Sequence, residues 1–219
     1  MSDEPLNPII HKFLRRYLQD EKSAGFIKII SERYTVGTLE RLVVNGGVTT
    51  RRSAVMALGF VGDYRSNPIL GRALRDPDRA VRMLAENAIR SVWHRACGVT
   101  QRQKLRCVIR FNTSRQFSEA IESASSLIEE IPSFAEAWNQ RAVAYYRLGH
   151  FDQSLSDCLQ TLELNPYHFD AEVGMGQCYL ERNDAFSAID CFRRALKLNP
   201  GLEGIRARVD YLRWSLRNR

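Results

Sequence analysis

The residues best suited to nucleophilic, redox or metal chemistry in this 219-residue chain are five cysteines and four histidines. Cys97, Cys107, Cys158, Cys178 and Cys191 are odd in number and scattered, with no CxxC pair and no histidine at zinc-ligand spacing. They read as reduced, mostly buried thiols. His11, His94, His150 and His168 are equally dispersed, so local spacing draws neither a metal triad nor a Cys/His dyad, and only pairing at a distance in the folded chain could join them. The acidic pairs Glu129–Glu130 and Asp152–Asp157 read as solvated helix surface, and His168, in the stretch NPYHFD, as a turn residue. No phosphate-binding loop, dinucleotide turn, HExxH helix, nucleophile elbow or EF-hand loop occurs. No catalytic residue, metal or cofactor is therefore expected.

Charge is the other resource. The net charge is +7, and arginine supplies 27 of the 32 basic residues. To Val99 there are 16 basic and 10 acidic residues; beyond it there are 16 and 15. The excess lies in the first half, where Arg51, Arg52, Arg72, Arg75, Arg79 and Arg82 form a possible basic surface for nucleic acid or an acidic partner. The opening MSDEPLNPIIHKF has no apolar core of signal-peptide length. No window approaches the roughly 18 apolar residues of a membrane span, so a cytoplasmic protein without membrane attachment is expected.

The elements that must position any site follow from periodicity. Pro132, Pro166 and Pro200 are spaced by 34 and close the phrases EEIP, ELNP and KLNP. On that period Val108, Ala142 and Gly176 form a column, as do the aromatics Phe111, Tyr145 and Tyr179 and the small residues Ala120, Ser154 and Ala188. Each unit reads as two helices with a turn near Arg115, Gly149 or Asn183 that suits a left-handed backbone. Proline then stops the second helix. Small columns let the two helices approach, with a large aromatic of the first filling the space opposite a small residue of the second.

The second unit, AEAWNQRAVAYYRLGHFDQSLSDCLQTLELNP, and the third, GMGQCYLERNDAFSAIDCFRRALKLNP, resemble the tetratricopeptide repeat family. The first, Gln101 to Pro132, keeps the period but has Lys104, Arg115 and Ala124 where the family has an aromatic, a glycine and an aromatic. That resemblance implies three units at 101–134, 135–168 and 169–202, together spanning 100–202. After them Ile205, Val209, Leu212 and Leu216 recur at helical spacing, which predicts a capping helix over 203–219.

Upstream, RRSAVMALGFVGD recurs as VRMLAENAIRSVW at an offset of 31. This resembles HEAT-like repeats of the phycobilisome-lyase type, over 23–99, with an amino-terminal helical cap over 1–22. The resemblance implies a ladder in which turn residues Asn45 and Asp76 meet Arg51 and Arg82, and such pairing accounts for much of the arginine excess. The expected fold is all-α: an alpha-alpha superhelix, a right-handed solenoid of antiparallel helix pairs, HEAT-like and then tetratricopeptide-like.

The tetratricopeptide resemblance also implies a concave groove lined by first helices. Its columns hold Arg102, Leu105, Ile109 and Asn112; then Glu136, Asn139, Val143, Tyr146 and Arg147; then Asp170, Val173, Gln177 and Leu180. One subgroup of that family clamps a terminal carboxylate, but Leu105, Ile109, Gln140, Asp170 and Gly174 stand where its cations and amides would be. An apolar groove is expected instead, with Asn139 and Gln177 fixing a partner's backbone. The resulting expectation is a non-catalytic adaptor for a protein or peptide, with self-association left open. The alternative is nucleic-acid binding along the arginine-rich face, although the nearby aromatic candidates, Trp93 and Tyr64, are not interleaved with basic residues as stacking platforms would be.

Overall fold

The computed structural model describes residues 9–218, and among these every regular element is a helix. The amino-terminal cap expected over 1–22 thus lies partly outside the described residues. The chain divides into two compact units between Val92 and Trp93.

In the first unit, α1 (Ile10–Asp20) and α2 (Ser23–Arg33) precede α3 (Val36–Asn45), α4 (Val48–Val61) and the short α5 (Asn67–Ala73). The helix α6 (Arg79–Arg95) starts in this unit, and its residues from Trp93 onward belong to the second. Helix starts are capped locally: the Thr35 hydroxyl accepts from the Thr38 N–H, and the Asp78 carboxylate accepts from the Val81 N–H at 2.9 Å. Tyr17, Phe26 and Phe60 join α1, α2 and α4 through ring contacts of 5.2 to 5.5 Å. Where α4 crosses α6, a Cβ on Gly59 would lie 3.0 Å from that of Ala88, so the absent side chain sets the closeness of approach.

The arginines of this unit hold its turns together. Arg51 forks onto Asp76 through Nε at 2.7 Å and Nη2 at 2.9 Å, and donates a third bond to the Gly46 carbonyl. Arg82 donates to the carbonyls of Asp76 and Pro77. A second fork joins Arg52 to Asp78 at 2.9 and 2.6 Å. The Arg51–Asp76 contact thus ties the start of α4 to the turn before α6.

The second unit stacks α7 (Val99–Thr113) with α8 (Phe117–Glu130), α9 (Ala135–Arg147) with α10 (Phe151–Leu164) and α11 (Phe169–Glu181) with α12 (Ala185–Leu198). Each pair turns at a left-handed residue: Arg115, Gly149 and Asn183 have φ of 60°, 79° and 61°. In each, the next N–H reaches back five residues, from Gln116 to Phe111, His150 to Tyr145 and Asp184 to Tyr179, all at 2.9 Å, which satisfies a carbonyl at the helix end. Second helices end one residue before the position preceding proline. There the Asn165 and Asn199 side chains accept from the N–H groups of Tyr167 and Gly201, folding the chain back around Pro166 and Pro200.

Apolar residues of one pair cover those of the next. Val108, Ala120, Ala124 and Ala144 pack with Phe111, while Ala142, Cys158, Ala171, Met175 and Cys178 form the following layer. In the third pair Tyr179 packs on the group that holds Ala188, and a second size match runs the other way. Gly176 on the first helix faces Phe192 on the second, and a Cβ there would meet the ring at 2.4 Å. The final helix α13 (Glu203–Arg217) lays Ile205, Val209, Leu212 and Leu216 over Phe192 and Ile189, which is the expected cap.

Asp157 departs from its reading as surface. It is 4% exposed and accepts a two-pronged pair from Arg141 at 2.8 and 2.9 Å, while Arg141 also donates to the Ser125 hydroxyl and lies 4.9 Å over the Trp138 ring.

Candidate partner groove

First helices α9 and α11, with α13 beside them, wall a cavity of about 540 Å3. Helix α9 contributes Asn139, Gln140, Val143, Tyr146 and Arg147; α11 contributes Asp170, Val173, Gly174 and Gln177. Ser154 and Cys158 of α10 also line it, and Arg208 of α13 closes the far side. Gly174 makes the depression: a Cβ there would come within 3.2 Å of the Cys158 sulfur.

Seven of the groove residues expected from sequence meet at this cavity: Asn139, Val143, Tyr146, Arg147, Asp170, Val173 and Gln177. The others do not line it. Leu105 is 1% exposed and belongs to the core with Leu127, Phe134 and Ala137, with Ile109 packed against the same group. Leu180 packs toward α13 with Phe192 and Val209. Arg102 is half-buried on α7. Asn112 acts at one remove, its Nδ2 donating to the carbonyl oxygen and Oε1 of Gln140 at 2.9 and 3.0 Å. The expected apolar groove is consequently a mixed one, because the large aliphatic residues are spent on packing between pairs while amides and arginines remain on the cavity wall.

A buried network holds those amides. Glu136, a groove-column residue in the sequence, is 3% exposed. Its Oε1 accepts from Gln140 Nε2 at 2.8 Å and Asn139 Nδ2 at 3.3 Å, and lies 3.5 Å from His94 Nε2. Its Oε2 lies 3.0 Å from Nε2 of the fully buried His168. Because His168 Nδ1 accepts from the Ala171 N–H, the neutral ring carries its proton on Nε2 and donates it to Glu136. Burial alone would raise the Glu136 carboxyl, but hydrogen bonds from His168 and then His94 outweigh it and hold the group well below the usual carboxylate range. Trp93 stacks on His168 at 4.2 Å and is 2% exposed, so it is not the stacking platform for a base that the nucleic-acid reading requires.

Two further groups at the cavity are held in their neutral forms. Burial, reinforced by Cys178 and Asp157, pushes the Cys158 thiol up, which keeps it protonated. Burial and then Glu181 raise the Tyr146 phenol, whose OH donates to Glu181 Oε1 at 3.2 Å. The cavity therefore presents hydrogen-bonding amides, a phenol, one carboxylate and two guanidinium groups. Among the described residues no group of three or more histidine, cysteine or acidic side chains is arranged to hold a metal ion, and no helix is long and apolar enough to cross a membrane.

Comparison with known proteins follows the same elements. Residues 135–168 and 173–202 each match a tetratricopeptide repeat model. A TPR repeat-containing protein of Rhizobium etli is 25% identical over 138 residues, 63% of this chain and 67% of that protein. The WD and tetratricopeptide repeats protein 1 of Mus musculus is 31% identical over 81 residues, which cover 35% of this chain but only 12% of that protein. In fold, the first TPR of Spaghetti (RPAP3), solved with an HSP90 peptide, superposes with a TM-score of 0.51 at 21% identity, covering 53% of this chain and 92% of that one. The helix pairs α9/α10 and α11/α12 are thus tetratricopeptide repeats.

Proposed function

We propose that the protein is a non-catalytic adaptor that holds a peptide or helix of a partner protein in the cavity walled by α9, α11 and α13. The observation that carries this reading is the convergence of Asn139, Val143, Tyr146, Arg147, Val173 and Gln177 on one open cavity. Apolar side chains there exclude water from a partner, and the pre-oriented amides engage its backbone without first having to be ordered. The RPAP3 structure was solved with the HSP90 peptide SRMEEVD, and peptide capture by that fold supports the same class of role here. The partner differs, since Gln140, Asp170 and Gly174 replace groups of the carboxylate clamp.

The Arg51–Asp76 rung and the carbonyl bonds of Arg82 support a HEAT-like reading of residues 23–99, as a second stacked array in a cytoplasmic protein. Nucleic-acid binding along that face is disfavoured, because the forks onto Asp76 and Asp78 already occupy Arg51 and Arg52. The test is affinity capture with mass-spectrometric readout, comparing the wild type with a variant carrying Tyr146→Ala and Val143→Asp. The expected result is loss of a discrete set of partners at unchanged helicity; retention of every partner by the folded variant overturns the reading.

A further inference from the structure

The columns that form the cavity do not stop at α11. Carried on by the same period of 34, Gln140 and Gly174 are followed by Arg208, Val143 and Gln177 by Tyr211, and Tyr146 and Leu180 by Trp214. Arg208 already lines the cavity. Beyond it, Tyr211 and Trp214 are 64% and 62% exposed, with ring centroids 6.3 Å apart. The apolar stripe of α13 is used against Phe192 and Ile189, so these two rings are not needed to seal the core. Adjacent exposed aromatics that continue a cavity are a docking feature rather than a packing one. Arg147 and Arg208 form no ion pair among the described residues, and Asp170 is the one acidic residue lining the cavity against them.

Resting on the groove reading above, we infer that the occupant is an extended acidic peptide segment. An aspartate or glutamate side chain stands between Arg147 and Arg208, and an aromatic or proline side chain lies on the Tyr211–Trp214 platform. Guanidinium groups without a partner are matched by a carboxylate, which gains charge-assisted hydrogen bonds there. Spacing fixes the motif further. Along α13, Tyr211 lies about 4.5 Å and Trp214 about 9 Å beyond Arg208. An extended peptide advances about 3.3 Å per residue, so the acidic and bulky residues of the partner stand two or three positions apart. A second copy of the chain fits less well, since α13 would bring its own arginines against one another.

The test is selection of a phage-displayed library of short random peptides on the immobilised full chain, followed by titration of the synthetic consensus peptide. Titrations use the wild type and three double variants: Arg147→Glu with Arg208→Glu, Tyr211→Ala with Trp214→Ala, and Val143→Asp with Tyr146→Ala. Each variant is first checked for unchanged helicity and melting temperature. The expected consensus pairs an acidic residue with an aromatic or proline two or three positions away. Affinity should fall about tenfold or more in all three variants, with the charge-reversed one selecting basic peptides instead. A consensus without acidic residues that depends on Val143 and Tyr146 but not on the arginines or α13 overturns this inference and leaves the groove intact. Binders insensitive to Val143 and Tyr146, or no binders at all, overturn the groove reading as well. Concentration-dependent dimerisation abolished by the Tyr211 and Trp214 changes also overturns the inference, in favour of self-association.

Discussion

Arginine ties down turns in the first unit, while the second holds both a buried arginine pair and arginines without an ion pair at its cavity. Residues to Val99 carry the net positive charge of the chain, whereas those beyond it are nearly balanced. Yet Arg51, Arg52 and Arg82 in the first unit are tied to carboxylates and carbonyls at their own turns, and the cavity with unpaired guanidinium groups lies in the second. Total charge is thus a poor guide to a binding surface. What matters is whether each guanidinium has already found a partner within the fold, and a neutral segment can still present the arginines available to a ligand.

The pairs also differ in what each carboxylate keeps when its arginine is removed, and that difference sets the order of effects on stability. In the second unit the Arg141–Asp157 pair is nearly sealed, with side chains 16% and 5% exposed. Arg141→Met leaves Asp157 buried without its cation, and the expected loss is about 3–5 kcal/mol, read as a lowered urea midpoint. Adding Asp157→Leu should restore most of it, because an apolar pair of similar volume removes the uncompensated charge. If Arg141→Met is no more harmful than Arg51→Ala, the donor that Asp76 keeps does not separate the two pairs.

Glu136→Gln sharpens the comparison at the groove itself. It keeps the shape but removes the charge that Gln140, Asn139, His168 and His94 converge on, at an expected cost of about 1–3 kcal/mol near neutral pH. Because the folded carboxyl titrates below its unfolded value, its contribution is complete above the usual glutamate pKa of about 4.3. It is lost as the pH falls through the depressed folded value. The stability gap between wild type and variant should therefore narrow as the pH drops below about 4. A gap that widens on acidification excludes the ionised Glu136.

The first unit supplies the weaker case. Arg51→Ala removes the fork onto Asp76 and the bond to Gly46, and the expected loss is a smaller one of about 1–2 kcal/mol because Asp76 keeps the Asp78 N–H as a donor. Asp76 should then titrate closer to the ordinary carboxylate range, since hydrogen bonding from Arg51 opposes the upward push of its burial. An unchanged Asp76 titration by NMR shows that the fork contributes nothing to that carboxylate.

Much of the repeat fold was legible because its signals are local. Prolines, turn residues of left-handed backbone and the apolar stripe of α13 act within a few residues of themselves, and the structure places all of them as read. The buried polar pairs were missed because their partners are distant, but the columns held a clue. His168 stands in a column with Phe134 and Leu202, and Arg141 in one with Cys107 and Met175. A polar residue in an apolar column is under pressure to find a partner in the fold, and here those partners are Glu136 and Asp157. The same accounting explains why the groove is less apolar than expected. Leu105 and Leu180 occupy groove columns, but the packing between successive pairs absorbs their side chains.

The smallest expected effect on stability is also the clearest test of the contrast. Arg147 and Arg208 are exposed and lack ion pairs among the described residues, so charge reversal at both breaks no internal contact of the kind lost at Arg141 or Arg51. The stability of the doubly reversed variant should stay within about 0.5 kcal/mol of wild type, measured by urea denaturation at low and high salt. A larger loss means that these arginines support the fold through Asp170 or the Tyr146 pair with Glu181, as Arg141 does through Asp157. A stability left intact while peptide capture changes sign separates the two uses: one set of arginines holds its own turns, and the other is left available for a partner.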